Sequence, residues 1–347
     1  MPDAFPRFAV KAVMSLPTPI LRLLSGGGVV YQGGRTLDPH FQFLTAGAKH
    51  LPALYTLGAA EARAASAQGL AGVAGKREPG VRVEDLTIDG PGGDLPLRAY
   101  WPTDQDPTAP IMVFAHFGGG VIGDLETCDA FCSIIAKVAR CAVVSVDYRL
   151  APEHKYPAGL EDTLAAYRWA RDNAARFGAP VGVAAIGGDS MGGNFSAILA
   201  QEMQRTGEPQ PALQLLIYPA VDVSSETQSM ITYAESYPLS RQIMDWFMGH
   251  YMGPEVDPAD VRLSPIKNPK LKGLAPAIVV TAGFDPLVDQ GECYAKRLKD
   301  AGVPVIYRCY DSLTHGFTAF TGAVPAADVA CREIAGFVRQ AYDGMLH

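Results

Sequence analysis

The chain contains no C-x-x-C and no H-E-x-x-H, so no metal site is expected. Its six cysteines stand singly apart from Cys128 and Cys132, spaced i,i+4, and reduced thiols in a cytoplasmic protein are the expectation. Basic residues are outnumbered by acidic ones, 29 to 36, leaving a net charge of −7. That balance supplies no electrostatic footprint for nucleic acid. No apolar run is long enough to span a bilayer. The stretch 8–24 is broken by Lys11, Pro17, Pro19 and Arg22 and has no convincing cleavage site, so stable membrane insertion is not expected. An amphipathic helix packed on the protein body is expected there. Charged residues make up only 19% of the 347 residues against 48% hydrophobic, enough to bury a sizeable core as one elaborated domain.

What is present centres on Val183-Ala-Ala-Ile-Gly-Gly-Asp-Ser190-Met-Gly-Gly-Asn. An apolar strand runs into a tight glycine-flanked turn with a serine at its apex, and a small-residue helix follows. Gly188-Asp-Ser-Met-Gly192 fits G-x-S-x-G, the nucleophile elbow of α/β-hydrolases, and the strand before and helix after are the context that motif requires. The backbone N–H of Met191, next after the serine, then faces the developing oxyanion.

A serine hydroxyl is a poor nucleophile without a base and a group to orient that base. The expected chain order is serine, acid, histidine. Downstream of Ser190 stand His250, His315 and His347. His347 is the last residue, and His250 sits in an aromatic-rich helical stretch. His315 follows the strand-like run 303–310, in a loop where α/β enzymes keep their chemistry. For the acid, 277–283 reads as a buried strand and Asp285 lies just past it, with Pro286 suited to the first turn of the next helix. Asp289 competes, but falls within that helix's first turns, where a carboxylate mainly favours the helix dipole.

The strand 111–115 leads into His116-Phe-Gly-Gly-Gly-Val-Ile-Gly-Asp124, whose glycines let backbone N–H groups approach a ligand closely. Read literally, Gly118-Gly-Gly120-Val-Ile-Gly123 is also G-x-G-x-x-G after a strand, and Asp147 lies about where a ribose-binding acid would sit. A nucleotide-binding enzyme is therefore the rival on this segment. It would leave Ser190, Asp285 and His315 unexplained.

Taken together, 116–127, Asp147-Tyr-Arg-Leu-Ala-Pro-Glu-His154, Gly188-Asp-Ser-Met-Gly-Gly193, Asp285-Pro-Leu-Val-Asp289 and His315-Gly-Phe317 resemble the hormone-sensitive-lipase family of α/β-hydrolases, the family IV bacterial esterases. The resemblance implies a triad of Ser190, Asp285 and His315, and oxyanion donors on the backbone of Gly118, Gly119 and Met191. It departs at Phe117, where the family's loop has its first glycine. A slip of one residue would make the donors Gly119 and Gly120. Phe117 is also expected to shorten the pocket. Within 148–157, Arg149 and Glu153 are expected to hold one another, and the two X-Pro bonds are candidates for cis geometry. His116 is expected to bond nearby backbone, and Asp189 to fix the elbow.

The expected fold is α/β: a mostly parallel eight-stranded sheet flanked by helices. Residues 76–221 and 269–347 form the hydrolase body, and 1–75 with the apolar insertion 222–268 form a helical cap. The expected activity is serine carboxylesterase action on small-molecule esters of short to medium chain length through an acyl-enzyme, with no cofactor. The partners leave room for a homodimer. A non-catalytic small-ligand receptor on the same fold is the further alternative, one that would have lost the histidine.

Overall fold

In the computed structural model, residues 13–344 are described. The expectations for 8–12 and for His347 lie outside them. Helix α1 (Thr18–Leu24) buries Leu21 and is followed by the two-residue strands β1 (Tyr31–Gln32) and β2 (Arg35–Thr36). Helix α2 (Pro39–Ala48) starts at Pro39 after Asp38, whose carboxylate accepts the N–H groups of His40 and Phe41. That is the usual chemistry of a helix start: a short acceptor at the cap and proline at the first helical position. Helix α3 (Ala59–Val73) completes this N-terminal part.

The main sheet holds eight strands: β3 (Val81–Gly90), β4 (Gly93–Pro102), β5 (Ile111–Ala115), β6 (Val143–Val146), β7 (Ala184–Asp189), β8 (Gln214–Ile217), β9 (Ala277–Phe284) and β10 (Val305–Thr314). Their order is β10-β9-β8-β7-β5-β6-β4-β3. The six strands from β10 to β6 pair in parallel, and β4 and β3 continue antiparallel. Strands β5 to β9 are buried throughout, whereas β3 alternates. That is the signature of parallel strands covered on both faces against an antiparallel edge facing water.

Helices α4 (Asp129–Ala139), α5 (Ala158–Asp172), α6 (Met191–Thr206), α9 (Val288–Asp300) and α10 (Pro325–Tyr342) alternate with the strands. Two short helices, α7 (Gln228–Thr232) and α8 (Arg241–Tyr251), interrupt the alternation after β8. The two-residue period of β5 sorts its side chains. Met112 and Phe114 join Phe131 of α4 and Ile334 of α10 in one core, while Ile111 and Val113 join Leu160 of α5 and Ile198 of α6 in the other. Each core residue of this size removes apolar surface worth about 1.5–3 kcal/mol. The layered packing brings the C-terminal ends of β5, β7, β9 and β10 to one edge of the sheet, where parallel α/β sheets place their ligands.

The X-Pro bonds at Ala151-Pro152 and Tyr156-Pro157 are both cis, as is Tyr237-Pro238. Among the described residues, no helix is long and apolar enough to cross a membrane.

Candidate active site

The elbow follows from how closely β7, α6 and β5 approach. A Cβ on Gly192 would lie 1.9 Å from the carbonyl oxygen of Ala115, and one on Gly188 would lie 2.3 Å from the backbone of Gly192. No side chain fits either position, and the residue between must turn sharply. Ser190 takes that turn with φ 56°, a left-handed conformation that costs a non-glycine residue about 1–3 kcal/mol. Its N–H donates to the Ile217 carbonyl at 2.9 Å, and its own carbonyl accepts from Asn194 and Ala220 at 3.0 and 3.2 Å. Backbone bonds on both sides therefore hold the strained residue in place.

Two later strand ends converge on it. His315 follows β10 directly, and its Nε2 lies 2.9 Å from Ser190 Oγ. Its Nδ1 lies 2.7 Å from Asp285 Oδ2. Asp285 follows β9, is fully buried, and its Oδ1 accepts the Leu287 N–H at 2.8 Å. Helix α9 begins only at Val288, so Pro286 lies in the turn ahead of that helix rather than in its first turn. Asp289 is engaged elsewhere: its Oδ2 accepts the Ser229 N–H at 2.7 Å. His250 lies on α8, its ring edge-on to Trp246. The structure thus brings Ser190, His315 and Asp285 into one chain of hydrogen bonds.

The loop after β5 lies beside the serine. Gly118, Gly119 and Gly120 all have positive φ. A Cβ on Gly119 would lie 2.3 Å from the Phe247 ring, and one on Gly120 would lie 2.6 Å from the Tyr251 ring. Helix α8 therefore presses on the loop from above, which only glycine permits. Gly119 and Met191 border a cleft of about 320 Å³ that also contains Ser190. Among the described residues, no acceptor takes the N–H groups of Gly118, Gly119 or Met191. The Gly120 N–H likewise has no acceptor among the described residues, but Gly120 backs onto Tyr251 and is not among the residues lining the cleft; its carbonyl accepts the Ala151 N–H at 2.8 Å. The dinucleotide pattern needs its glycine turn to open a helix directly, but α4 starts at Asp129, six residues beyond Gly123.

Phe117 packs against the core shared by Phe114 and Phe131 and is not part of the cleft wall. The expectation that its ring shortens that cleft is therefore corrected. A second correction concerns Arg149, which pairs with Asp162 at 2.8 Å, while Glu153 pairs with Arg63 at 2.6 Å. A buried carboxylate one helical turn into α5 is a better partner for Arg149 than an exposed one in its own loop.

Two buried titratable groups flank the elbow. His116 Nδ1 lies 2.7 Å from the Phe117 carbonyl, and its ring stacks on Tyr148 with centroids 4.2 Å apart. Complete burial lowers its pKa to about 4, so the imidazole is neutral and its Nδ1–H donates. Asp189 accepts hydrogen bonds from Tyr218 at 2.8 Å and Thr318 at 2.7 Å, and Cys128 Sγ lies at 3.6 Å. Burial raises its pKa to about 6 despite those donors. The Tyr218 ring in turn rests on His315, with centroids 4.6 Å apart. Sequence reasoning found Asp189 and placed Phe247 and Tyr251 in the apolar insertion over the site, but missed Tyr218 and Thr318 and the seating of the two rings on the glycine loop, because no local pattern marks a contact made only through folding.

An elbow at the end of the fifth strand of a covered, mostly parallel eight-stranded sheet, with acid and histidine on later strand ends, is the architecture of an α/β-hydrolase. A family model described as alpha/beta hydrolase fold matches residues 112–319. A carboxylic ester hydrolase of Mycobacterium tuberculosis, LipN, is 43% identical, over 89% of this chain and 84% of that protein. An ethyl acetate hydrolase of Pseudomonas putida is 35% identical, over 84% of this chain and 94% of its own. Among solved structures, an α/β hydrolase from the metagenome of Lake Arreo superposes with TM-score 0.85 at 38% identity, covering 88% of this chain and 99% of its own. The chain belongs to the α/β-hydrolase family, in its hormone-sensitive-lipase-type, family IV branch.

Proposed function

We propose that this protein is a serine carboxylesterase that hydrolyses small carboxylic esters of short to medium chain length through an acyl-enzyme. The observation that carries the reading is the bond chain Asp285–His315–Ser190, at 2.7 and 2.9 Å. Similar proteins named as carboxylic ester hydrolase and ethyl acetate hydrolase support it.

His315 Nε2 takes the Ser190 proton as the hydroxyl attacks the ester carbonyl, while Nδ1–H donates to Asp285 and keeps the imidazole in the correct tautomer. The N–H groups of Gly118, Gly119 and Met191 receive the developing negative charge. The alcohol leaves with the proton from Nε2. Water then attacks the acyl group with His315 again as base, and the acid is released. No step calls for a cofactor.

In this reading residues 1–75 and 222–268 cap a hydrolase body formed by 76–221 and 269–347. Phe247 and Tyr251, seated on the glycine loop, support that division. All six cysteines are free, which fits a reducing, cytoplasmic location. A cleft of about 320 Å³ suits a small ester better than a long chain. Each extra buried methylene favours binding by about 0.8 kcal/mol until the wall is met.

The test is hydrolysis of nitrophenyl esters across acyl lengths, with fluorophosphonate labelling mapped by mass spectrometry. Activity that climbs and then falls with acyl length, and a label on Ser190, are expected. A label elsewhere would move the nucleophile away from Ser190, and binding of the esters without turnover or labelling would favour the receptor reading. A preference for long-chain triglyceride emulsions would recast the protein as a lipase.

A further inference from the structure

Among the described residues, three other than glycine have positive φ: Arg140, Ser190 and Tyr218. Two of the three meet at this site. Tyr218 follows β8 directly and has φ 34°. For a bulky side chain that conformation is a genuine outlier, and it persists only where the surroundings over-determine it. Its N–H donates to the Val280 carbonyl at 2.6 Å, and the Ile217 carbonyl just before it accepts the Ser190 N–H at 2.9 Å. The strained turn therefore belongs to the same set of backbone bonds that holds the nucleophile.

The turn sets a fully buried ring against the imidazole. Tyr218 lies 4.6 Å from His315 and 5.3 Å from Phe317, centroid to centroid. Its hydroxyl donates to Asp189 Oδ2 at 2.8 Å, and Thr318 Oγ1 donates to the same oxygen at 2.7 Å. Asp189 stands immediately before Ser190, and Thr318 stands three residues after His315. One carboxylate and two hydroxyls thus join the nucleophile's strand to the base's loop, a second link beside the Ser190–His315 bond. That loop needs an anchor, because Gly316, with φ 72°, turns the chain straight after His315 into the short 3₁₀ helix Phe317–Phe320. Asp189, Tyr218 and Thr318 are at most 1% exposed, and none of them lines the cleft. They meet no substrate, and so far from water each hydrogen bond is strengthened.

We propose that Tyr218 is a positioning residue for His315: its ring and its hydroxyl, tied with Thr318 to Asp189, hold the imidazole where Nε2 reaches Ser190 Oγ. This role deepens the esterase reading and rests on it, since it requires Ser190 and His315 to be the reacting pair. Misplacing a reacting group by about 1 Å costs on the order of 10²-fold in rate. Turnover rather than substrate binding therefore depends on the link.

The experiment measures kcat and KM on nitrophenyl butyrate, with the folded fraction of each variant read from urea unfolding so that a partly unfolded variant does not pass for a slow one. Tyr218→Phe, which keeps the ring, and Thr318→Val should each lower kcat by about 5- to 20-fold, with KM within about twofold of wild type. Tyr218→Leu, which removes the ring as well, should lower kcat by about 10²-fold. Thr318→Ser, which keeps a hydroxyl, should retain most of the wild-type rate. In a His315→Ala background Tyr218→Phe should cost nothing further, because its effect passes through the histidine. Unchanged kcat in Tyr218→Phe or Thr318→Val, a loss confined to KM, or the same fold-loss in the His315→Ala background overturns the proposal. Full turnover in Ser190→Ala would instead remove the esterase reading beneath it, whatever the Tyr218 variants do.

Discussion

Helix α6, which carries the elbow, is buried continuously from Met191 to Met203, whereas α8, which covers the same cleft, buries only Phe247 and Tyr251 of its 11 residues. Both helices touch the site, one from below and one from above. The lower one is clamped by β5, β7 and β8, and its first residues have no room for added atoms. The upper one rests on two rings and is tied at its C-terminal end by Lys155, whose ammonium donates to the carbonyls of His250 and Met252 at 2.8 and 3.0 Å. Few buried contacts make a region open more easily. In the proposed mechanism the reacting serine sits on the rigid side, where misplacement is most damaging to the chemistry. The covering side, half exposed, is the side free to adapt to substrate shape.

The largest expected effects fall on the rigid side. Ser190→Ala and His315→Ala should each lower kcat/KM on nitrophenyl butyrate by about 10³-fold or more, and Asp285→Asn somewhat less, since such groups act as a unit. Asp289→Asn should stay within a few-fold of wild type. The assignment of the acid fails if the two aspartate variants trade places.

Next in size is a pair of identical substitutions in the two regions. Gly192→Ala forces a Cβ to within 1.9 Å of the Ala115 carbonyl and should cost about 3 kcal/mol or more in denaturant unfolding, as severe overpacking does. Gly249→Ala on α8 places its Cβ in open space. There it should stabilise by about 0.5–1 kcal/mol through helix propensity and reduced unfolded-chain freedom. Effects of the same sign in both helices would erase the contrast.

A third test sets the two buried groups beside the elbow against each other. The folded pKa of His116 lies near 4, below the ordinary 6.5. As pH falls the unfolded chain is protonated first, so stability present above 6.5 is lost by about pH 4. Asp189 is raised from 3.8 to about 6. Its contribution has the opposite sign: it is fully present below 3.8 and lost as pH rises through about 6. Each shift is worth about 3 kcal/mol, so the two nearly offset between pH 4 and 6. Asp189→Asn should unmask the histidine, and its Tm should then fall more steeply than that of wild type on acidification from pH 6 to 4. Parallel Tm profiles would show that the two groups are not opposed.

The smallest effect concerns Phe117. Because its half-buried ring packs against the core and does not line the Ser190 cleft, Phe117→Leu should leave the acyl-length optimum unchanged. A shifted optimum would return that ring to the pocket and break the division between core and cover.

Much of this was legible in the chain itself. The eight strands and their alternating helices follow from apolar runs bounded by turn residues. The elbow follows from glycines two positions either side of Ser190. His315 and Asp285 follow from their places just past strands. The cis bonds at Pro152 and Pro157 were foreseen as well. What stayed hidden were pairings across the fold: Arg149 with Asp162, Glu153 with Arg63, and the rings of α8 on the glycine loop.

The division has a physical cause. The sequence by itself determined whatever depends on neighbours along the chain: the two-residue period of β5, the tight turn at Ser190, and the order serine, acid, histidine. Only the tertiary structure decided what depends on neighbours in space. Asp285 and Asp289 are alike in type and four positions apart, yet one reaches His315 while the other bonds the N–H of Ser229. Phe117 packs against the core although its loop borders the cleft. Side-chain direction, burial and partner choice arise when the sheet brings distant strand ends together, and no local pattern encodes them.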